Sequence, residues 1–214
     1  MGVGLALASR GQGRTAPNPN VGCVIVQPPP AQAGERVVGR GGTQPGVRPH
    51  AEAMALAQAG AATRGATAYV TLEPCAHASA RGPACADSLI AAGVVRVVVA
   101  LPDPPPRTNG KGIARLRAAG IEVVTGVAEV EARRSMAGFL AHLALGRPYV
   151  TLKLATSLDG CIALETGESR WITGPEARAH AHLERARHQA ILIGRGTLET
   201  DSPRLDVRLP GLED

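Results

Sequence analysis

Three consecutive segments decide the fold: Ala66-Thr67-Ala68-Tyr69-Val70-Thr71-Leu72-Glu73-Pro74-Cys75, then Cys85 to Gly93, then Val94-Val95-Arg96-Val97-Val98-Val99-Ala100-Leu101. Ala66 to Leu72 is a short, largely apolar run, read as a strand that ends where an irregular segment, Glu73 to Ala84, begins. Cys85 to Gly93 reads as a helix closed by glycine. Val94 to Leu101 is nearly continuous in apolar residues, as in a strand covered on both faces. Downstream, Gly112 to Gly120 and Ile121 to Thr125 repeat the order of helix, then strand. Upstream lie a short helix-like start, a turn cluster over Thr15-Ala16-Pro17-Asn18-Pro19-Asn20 and a strand, Val21-Gly22-Cys23-Val24-Ile25-Val26. Arg36 to Gly39 can pair with that strand across a turn rich in Pro, Gly and Gln, and Ala51 to Gly60 reads as a helix. This alternation predicts an α/β layer with a largely parallel sheet.

Ala128 to Leu145 reads as one longer helix that stops at Gly146-Arg147-Pro148, a domain boundary. Beyond it the pattern predicts a strand over 149–156, a helix over 175–188 and a strand over 190–194. So few elements rarely close a core alone, and the second domain is expected to be incomplete.

Composition narrows the function. The chain has 214 residues, 44% of them hydrophobic but only 2% aromatic, so its core is built from Ala, Val, Leu and Ile. Lysine stands only at Lys111 and Lys153, and arginine supplies the rest of a +5 formal charge. That bias fits either a coding preference or attraction to an anionic partner. The basic residues are scattered and form no long run, which favours a small anionic ligand such as a phosphate ester over a nucleic acid. No stretch is long and apolar enough to span a bilayer, and the start lacks the basic n-region of a signal peptide. Four cysteines in a chain of this length do not suggest a disulfide framework. A cytoplasmic protein is expected, with no membrane and no nucleic-acid partner.

The chemistry concentrates in Pro49-His50-Ala51-Glu52, Leu72-Glu73-Pro74-Cys75 and Cys85. One imidazole and two thiolates leave a fourth tetrahedral position open, the pattern of a catalytic zinc. A closed structural site needs a fourth ligand, for which His77 is the nearby candidate. His50 and Cys85 fall at predicted helix N-termini, where free amides and the helix dipole favour negative charge. His50 and Glu52 are two residues apart, about 200° around a regular helix, so both reach one site only if His50 sits at the helix entry. A carboxylate that is not a ligand can then shuttle the protons of a zinc-activated water. His-x-Glu followed by Pro-Cys-x-x-Cys is the signature of zinc deaminases. Here the second cysteine lies ten residues beyond the first rather than three. Cys23, inside an apolar strand, is expected in the core.

Several ordered motifs carry a family resemblance: Pro17-Asn18-Pro19-Asn20-Val21-Gly22-Cys23, Pro49-His50-Ala51-Glu52, Tyr69 to His77, Lys153-Leu154-Ala155-Thr156-Ser157-Leu158-Asp159-Gly160 and Gly167-Glu168-Ser169-Arg170-Trp171-Ile172-Thr173-Gly174. With these the chain resembles the bifunctional riboflavin-biosynthesis deaminase-reductases. The resemblance implies a cytidine-deaminase-like three-layer α/β/α domain over residues 1–145. It further implies the N-terminal part of a dihydrofolate-reductase-like α/β domain over 146–214.

The implied ligands of Zn2+ are His50, Cys75 and Cys85, with Glu52 as proton carrier. The implied substrate is a small phosphorylated pyrimidine, a diaminopyrimidinone carrying ribosylamino 5′-phosphate, with contacts at Asn18, His77, Arg81 and Asp103. In the second half Ala155, Trp171, Thr197 and Asp201 match positions for NADPH, and Ser169, Arg185, Leu205 and Arg208 match positions for the reductase substrate. The family's C-terminal portion has no counterpart before Asp214, so weak or no NADPH binding is expected. Association of copies into a homo-oligomer is implied as well. Two departures stand out: the Cys75–Cys85 loop is one residue longer than the common form, and Thr43 stands where many relatives have histidine.

Two rival readings make different demands. A transfer-RNA-type base deaminase shares the zinc chemistry but stacks bases on aromatic side chains, and here only Tyr69 lies near the ligand segments. A zinc-stabilised module without turnover leaves Glu52 and the open ligand position unexplained.

Overall fold

The computed structural model describes residues 1–28, 34–46, 48–77, 82–105 and 108–212. The chain divides into two units, Met1–Tyr149 and Val150–Asp214. The first holds helices α1 (Gly2–Ser9), α2 (Ala51–Ala59), α3 (Cys85–Ala91), α4 (Lys111–Ala118), α5 (Glu129–Ser135) and α6 (Ala137–Leu145). Its strands are β1 (Gly22–Gln27), β2 (Arg36–Gly42), β3 (Thr67–Val70), β4 (Arg96–Val99) and β5 (Glu122–Thr125).

The five strands form one sheet in the order β2-β1-β3-β4-β5. β3-β4 and β4-β5 are parallel, whereas β1 is antiparallel to both β2 and β3. The sheet is therefore evenly mixed, not largely parallel. β2 follows β1 without an intervening helix and so runs back along it. α2 then carries the chain over β1 to β3, which runs in the direction of β2. Alternation along β2 places helices on both faces: a Cβ on Gly41 would meet the Ala51 carbonyl of α2 at 2.0 Å, while one on Gly42 would face Leu7 of α1. α2 thus lies directly on the strand, and its first turn is held close to the sheet edge.

The core fills the space between sheet and helices with Ile25, Val70, Val97, Val99, Leu89 and Leu116, all fully buried. β1 is buried at five consecutive positions, as befits an inner strand covered on both faces. Cys23 is inside this core, and burial pushes its thiol well above the ordinary value. The long helix expected over 128–145 is broken at Met136, whose φ of −107° and ψ of 19° leave the helical region. Met136 is 1% exposed, so the break anchors the turn in the core.

The second unit holds α7 (Pro175–Ala186) and α8 (Arg195–Asp201). Segments 149–156 and 190–194, expected as strands, form no ladder among the described residues. A strand's amides are satisfied by a neighbouring strand, and neither segment has one here. Among the described residues no helix is long and apolar enough to cross a membrane.

Candidate metal centre

The sheet's mixed topology brings the chemistry to one end. β2, β3 and β4 point the same way, and their C-terminal ends lead into Thr43 to His50, Leu72 to Cys75 and Leu101 to Asp103. β1 runs the other way, so its N-terminal approach brings Asn18, Pro19 and Val21 to the same edge. Between these segments lies a cavity of about 540 Å³. That size suits a small ligand.

His50 is the N-cap of α2, extended at φ −71° and ψ 163°, and Glu52 occupies the first turn. Cys85 is the first residue of α3. The His50, Cys75 and Cys85 donor atoms all lie within 4.8 Å of one another, with His50 Nδ1 at 3.3 Å from Cys85 Sγ and 3.9 Å from Cys75 Sγ. Zinc-ligand bonds of about 2.1 Å to nitrogen and 2.3 Å to sulfur place tetrahedral N and S donors roughly 3.5 Å apart, so the two separations straddle the ideal. No fourth His, Cys, Asp or Glu joins the group among the described residues, and His77 stays outside it.

The two thiols are electrostatically matched as donor and acceptor. Cys75 ionises more readily than an ordinary thiol, foremost because the Cys85 thiol donates to it, while that same bond and burial hold Cys85 up. The Cys85 amide also donates to Cys75 Sγ at 3.3 Å. Two clustered thiols and one imidazole, with an amide already aimed at a sulfur, fit zinc. Glu52 is 4% exposed, and burial raises its carboxyl above the ordinary carboxylate value.

Asn18, His77 and Asp103 line the same cavity. Burial raises the Asp103 carboxyl, with the Thr108 hydrogen bond opposing. Arg81 lies outside the described residues. Thr43 lines the cavity too, but its hydroxyl accepts from the Val21 amide at 3.0 Å, so it secures the entry to β1.

Sequence reasoning missed four contributors. Arg48 lines the cavity, and Phe139 and Leu143 close it from α6. Glu73, 5% exposed, accepts four backbone amides: Asp103 and Gly110 at 3.0 Å on Oε2, Gly112 at 2.8 Å and Ile113 at 3.1 Å on Oε1. It ties the end of β3 to the Asp103 loop and to the start of α4. A strand-end acid ahead of Pro74 hinted at this, but backbone partners leave no residue-type signal.

In the second unit Trp171 is 71% exposed, and the Arg178 guanidinium stacks on it at 4.4 Å. Asp201 pairs with Arg170 at 3.7 Å, one helical turn beyond Thr197 on α8. Ala155 is half-buried and Ser169 is exposed. Arg185 donates to the carbonyls of Arg204 and Asp206, each at 3.1 Å, on either side of Leu205, and Arg208 pairs with Asp206. No described residue of this unit is buried. A dinucleotide site encloses its ligand, whereas Trp171 and Ser169 here stand at the surface of this unit.

Comparison with known proteins agrees with this division. Residues 1–101 match the cytidine and deoxycytidylate deaminase zinc-binding region, so fold and site together define a zinc-binding deaminase domain. Residues 148–214 match the RibD C-terminal domain, of the dihydrofolate-reductase-like α/β class. Over its whole length the chain is 50% identical to the riboflavin biosynthesis protein RibD of Escherichia coli (strain K12), of which it spans 56%. It superposes with a TM-score of 0.81 on Acinetobacter baumannii RibD, at 47% identity, covering 98% of this chain and 57% of that one. A Thermotoga maritima diaminohydroxyphosphoribosylaminopyrimidine deaminase/5-amino-6-(5-phosphoribosylamino)uracil reductase gives a TM-score of 0.86 at 39% identity, covering 97% and 58%. The chain belongs to the RibD family and spans about half the length of the curated relatives it matches.

Proposed function

We propose that residues 1–145, within the first unit, form the zinc-dependent deaminase of riboflavin biosynthesis, acting on 2,5-diamino-6-ribosylamino-4(3H)-pyrimidinone 5′-phosphate. One observation carries this reading: a buried carboxylate, Glu52, stands beside a three-donor set on the wall of a ligand-sized cavity. His50, Cys75 and Cys85 would hold zinc, which when bound supplies the Lewis acidity that makes water nucleophilic near neutral pH. Glu52 takes a proton from the attacking water and delivers it to the ring 2-amino nitrogen. A C–O bond forms, the C–N bond breaks and ammonia leaves. Its raised proton affinity suits a group that must both accept and return a proton. Asn18, His77 and Asp103 contact the pyrimidine, and Arg81 is assigned with them from the resemblance.

Residues 146–214 are read as the first part of the NADPH-dependent reductase domain. Ala155, Trp171, Thr197 and Asp201 are the cofactor positions, and Ser169, Arg185, Leu205 and Arg208 the substrate positions. With no buried residue among those described in that unit, NADPH binding by this chain is expected to be weak or absent. Four unpaired cysteines are in keeping with a cytoplasmic setting. Homo-oligomerisation, taken from the resemblance, is read by sedimentation.

The deciding experiment incubates the zinc-loaded protein with this substrate, without NADPH, and measures ammonia. Release by the parent but not by Glu52→Ala, with one zinc in each, supports the reading. No release from a folded, zinc-loaded parent sinks it.

A further inference from the structure

We propose that Arg48 recognises the phosphate of the substrate, an inference that rests on the deaminase reading above. Arg48 precedes His50 by two residues, and its side chain lines the cavity that holds Glu52 and Asp103. Its Nη1 donates to the Pro83 carbonyl at 3.4 Å. The same nitrogen lies over Gly82, where an added Cβ would come within 2.9 Å of it. The guanidinium is thereby held at the cavity wall, between the entry to α2 and the approach to α3, with one of its five N–H donors engaged.

The charge balance of the wall makes this position matter. Glu52, Glu73 and Asp103 are its acids, and both Glu73 oxygens are already taken by backbone amides. Arg48 is the one described lining residue with a permanent positive charge, and no described carboxylate forms an ion pair with it. A phosphate monoester entering a cavity that bears carboxylates needs such a counter-charge. A guanidinium meets phosphate oxygens in a bidentate manner that a point charge does not. The residue therefore selects the phosphorylated pyrimidine over its dephosphorylated counterpart and takes no part in the proton transfers.

The test compares ammonia release from the phosphorylated pyrimidinone and from the same compound without phosphate, using the full chain as parent, Arg48→Ala and Arg48→Lys. Arg48→Ala is expected to raise KM for the phosphorylated compound about 10- to 100-fold, leaving kcat and the KM of the dephosphorylated compound within about twofold. Arg48→Lys restores part of the loss. An equal loss on both compounds, or none on either, overturns the proposal, since the first marks a merely structural contact with Pro83. If the parent deaminates neither compound, the deaminase reading fails and calorimetric titration with ribose 5-phosphate decides the role of Arg48. Binding by the parent that Arg48→Ala loses supports recognition; equal binding, or none, overturns it.

Discussion

The two units of this chain draw on similar residues and end in opposite conditions. In the first, Val97 and Leu116 are 0% exposed; in the second, Leu152 is 79% and Leu192 99% exposed. In the first unit each strand has a ladder partner, and the sheet so formed gives α1, α2 and α4 a surface to cover. In the second, α7 and α8 form locally while the extended segments stay unpaired. Chemistry follows enclosure: the first unit surrounds a cavity with a metal-donor set and a buried acid, while the candidate cofactor residues of the second remain near solvent. Local sequence makes helices, whereas pairing between distant segments makes a site.

The strongest challenge to this contrast is kinetic. Glu52→Ala should reduce ammonia release by about 10²- to 10⁴-fold while zinc, measured by atomic absorption, stays bound. Loss of metal in that variant would make Glu52 a structural group. Next comes packing. Leu116→Ala should cost about 2–5 kcal/mol in urea unfolding of the first unit, whereas Leu192→Ala should stay within about 0.5 kcal/mol. Comparable losses would break the comparison. Glu73→Gln replaces one of two acceptor oxygens with a donor facing backbone amides, and should lower stability by about 2 kcal/mol on the same measurement. Asp87→Asn removes an exposed pair with Arg115, 2.8 Å long between α3 and α4, and should cost less than about 1 kcal/mol. Finally, Trp171 is the chain's single tryptophan and lies in the second unit. Its emission should be red-shifted, readily quenched by acrylamide and unmoved by chelation of zinc.

Much of the site could be read from residue types. His50, Cys75 and Cys85 stand at element boundaries, and an imidazole with two thiols has few other uses in such a pattern. That His50 must enter a helix followed from its two-residue offset from Glu52, and it is the N-cap of α2. Other features left no such mark. The partners of Glu73 are amides 30 to 40 positions downstream. Arg48 looked like one more scattered arginine until the approach to α3 was folded beside it. The antiparallel place of β1 was equally hidden, because β1 and β4 both read as apolar runs and direction comes from connections, not composition.

The sequence by itself determined the order of strands in the first unit and the His50, Cys75 and Cys85 donor set, because periodicity and rare chemical groups are local properties. Tertiary structure alone decided that β1 lies inverted within the sheet, that Glu73 binds the Asp103 loop to α4, and that Arg48 reaches the cavity. Each of these depends on hydrogen bonds or enclosure between segments far apart in the chain, which no local pattern encodes.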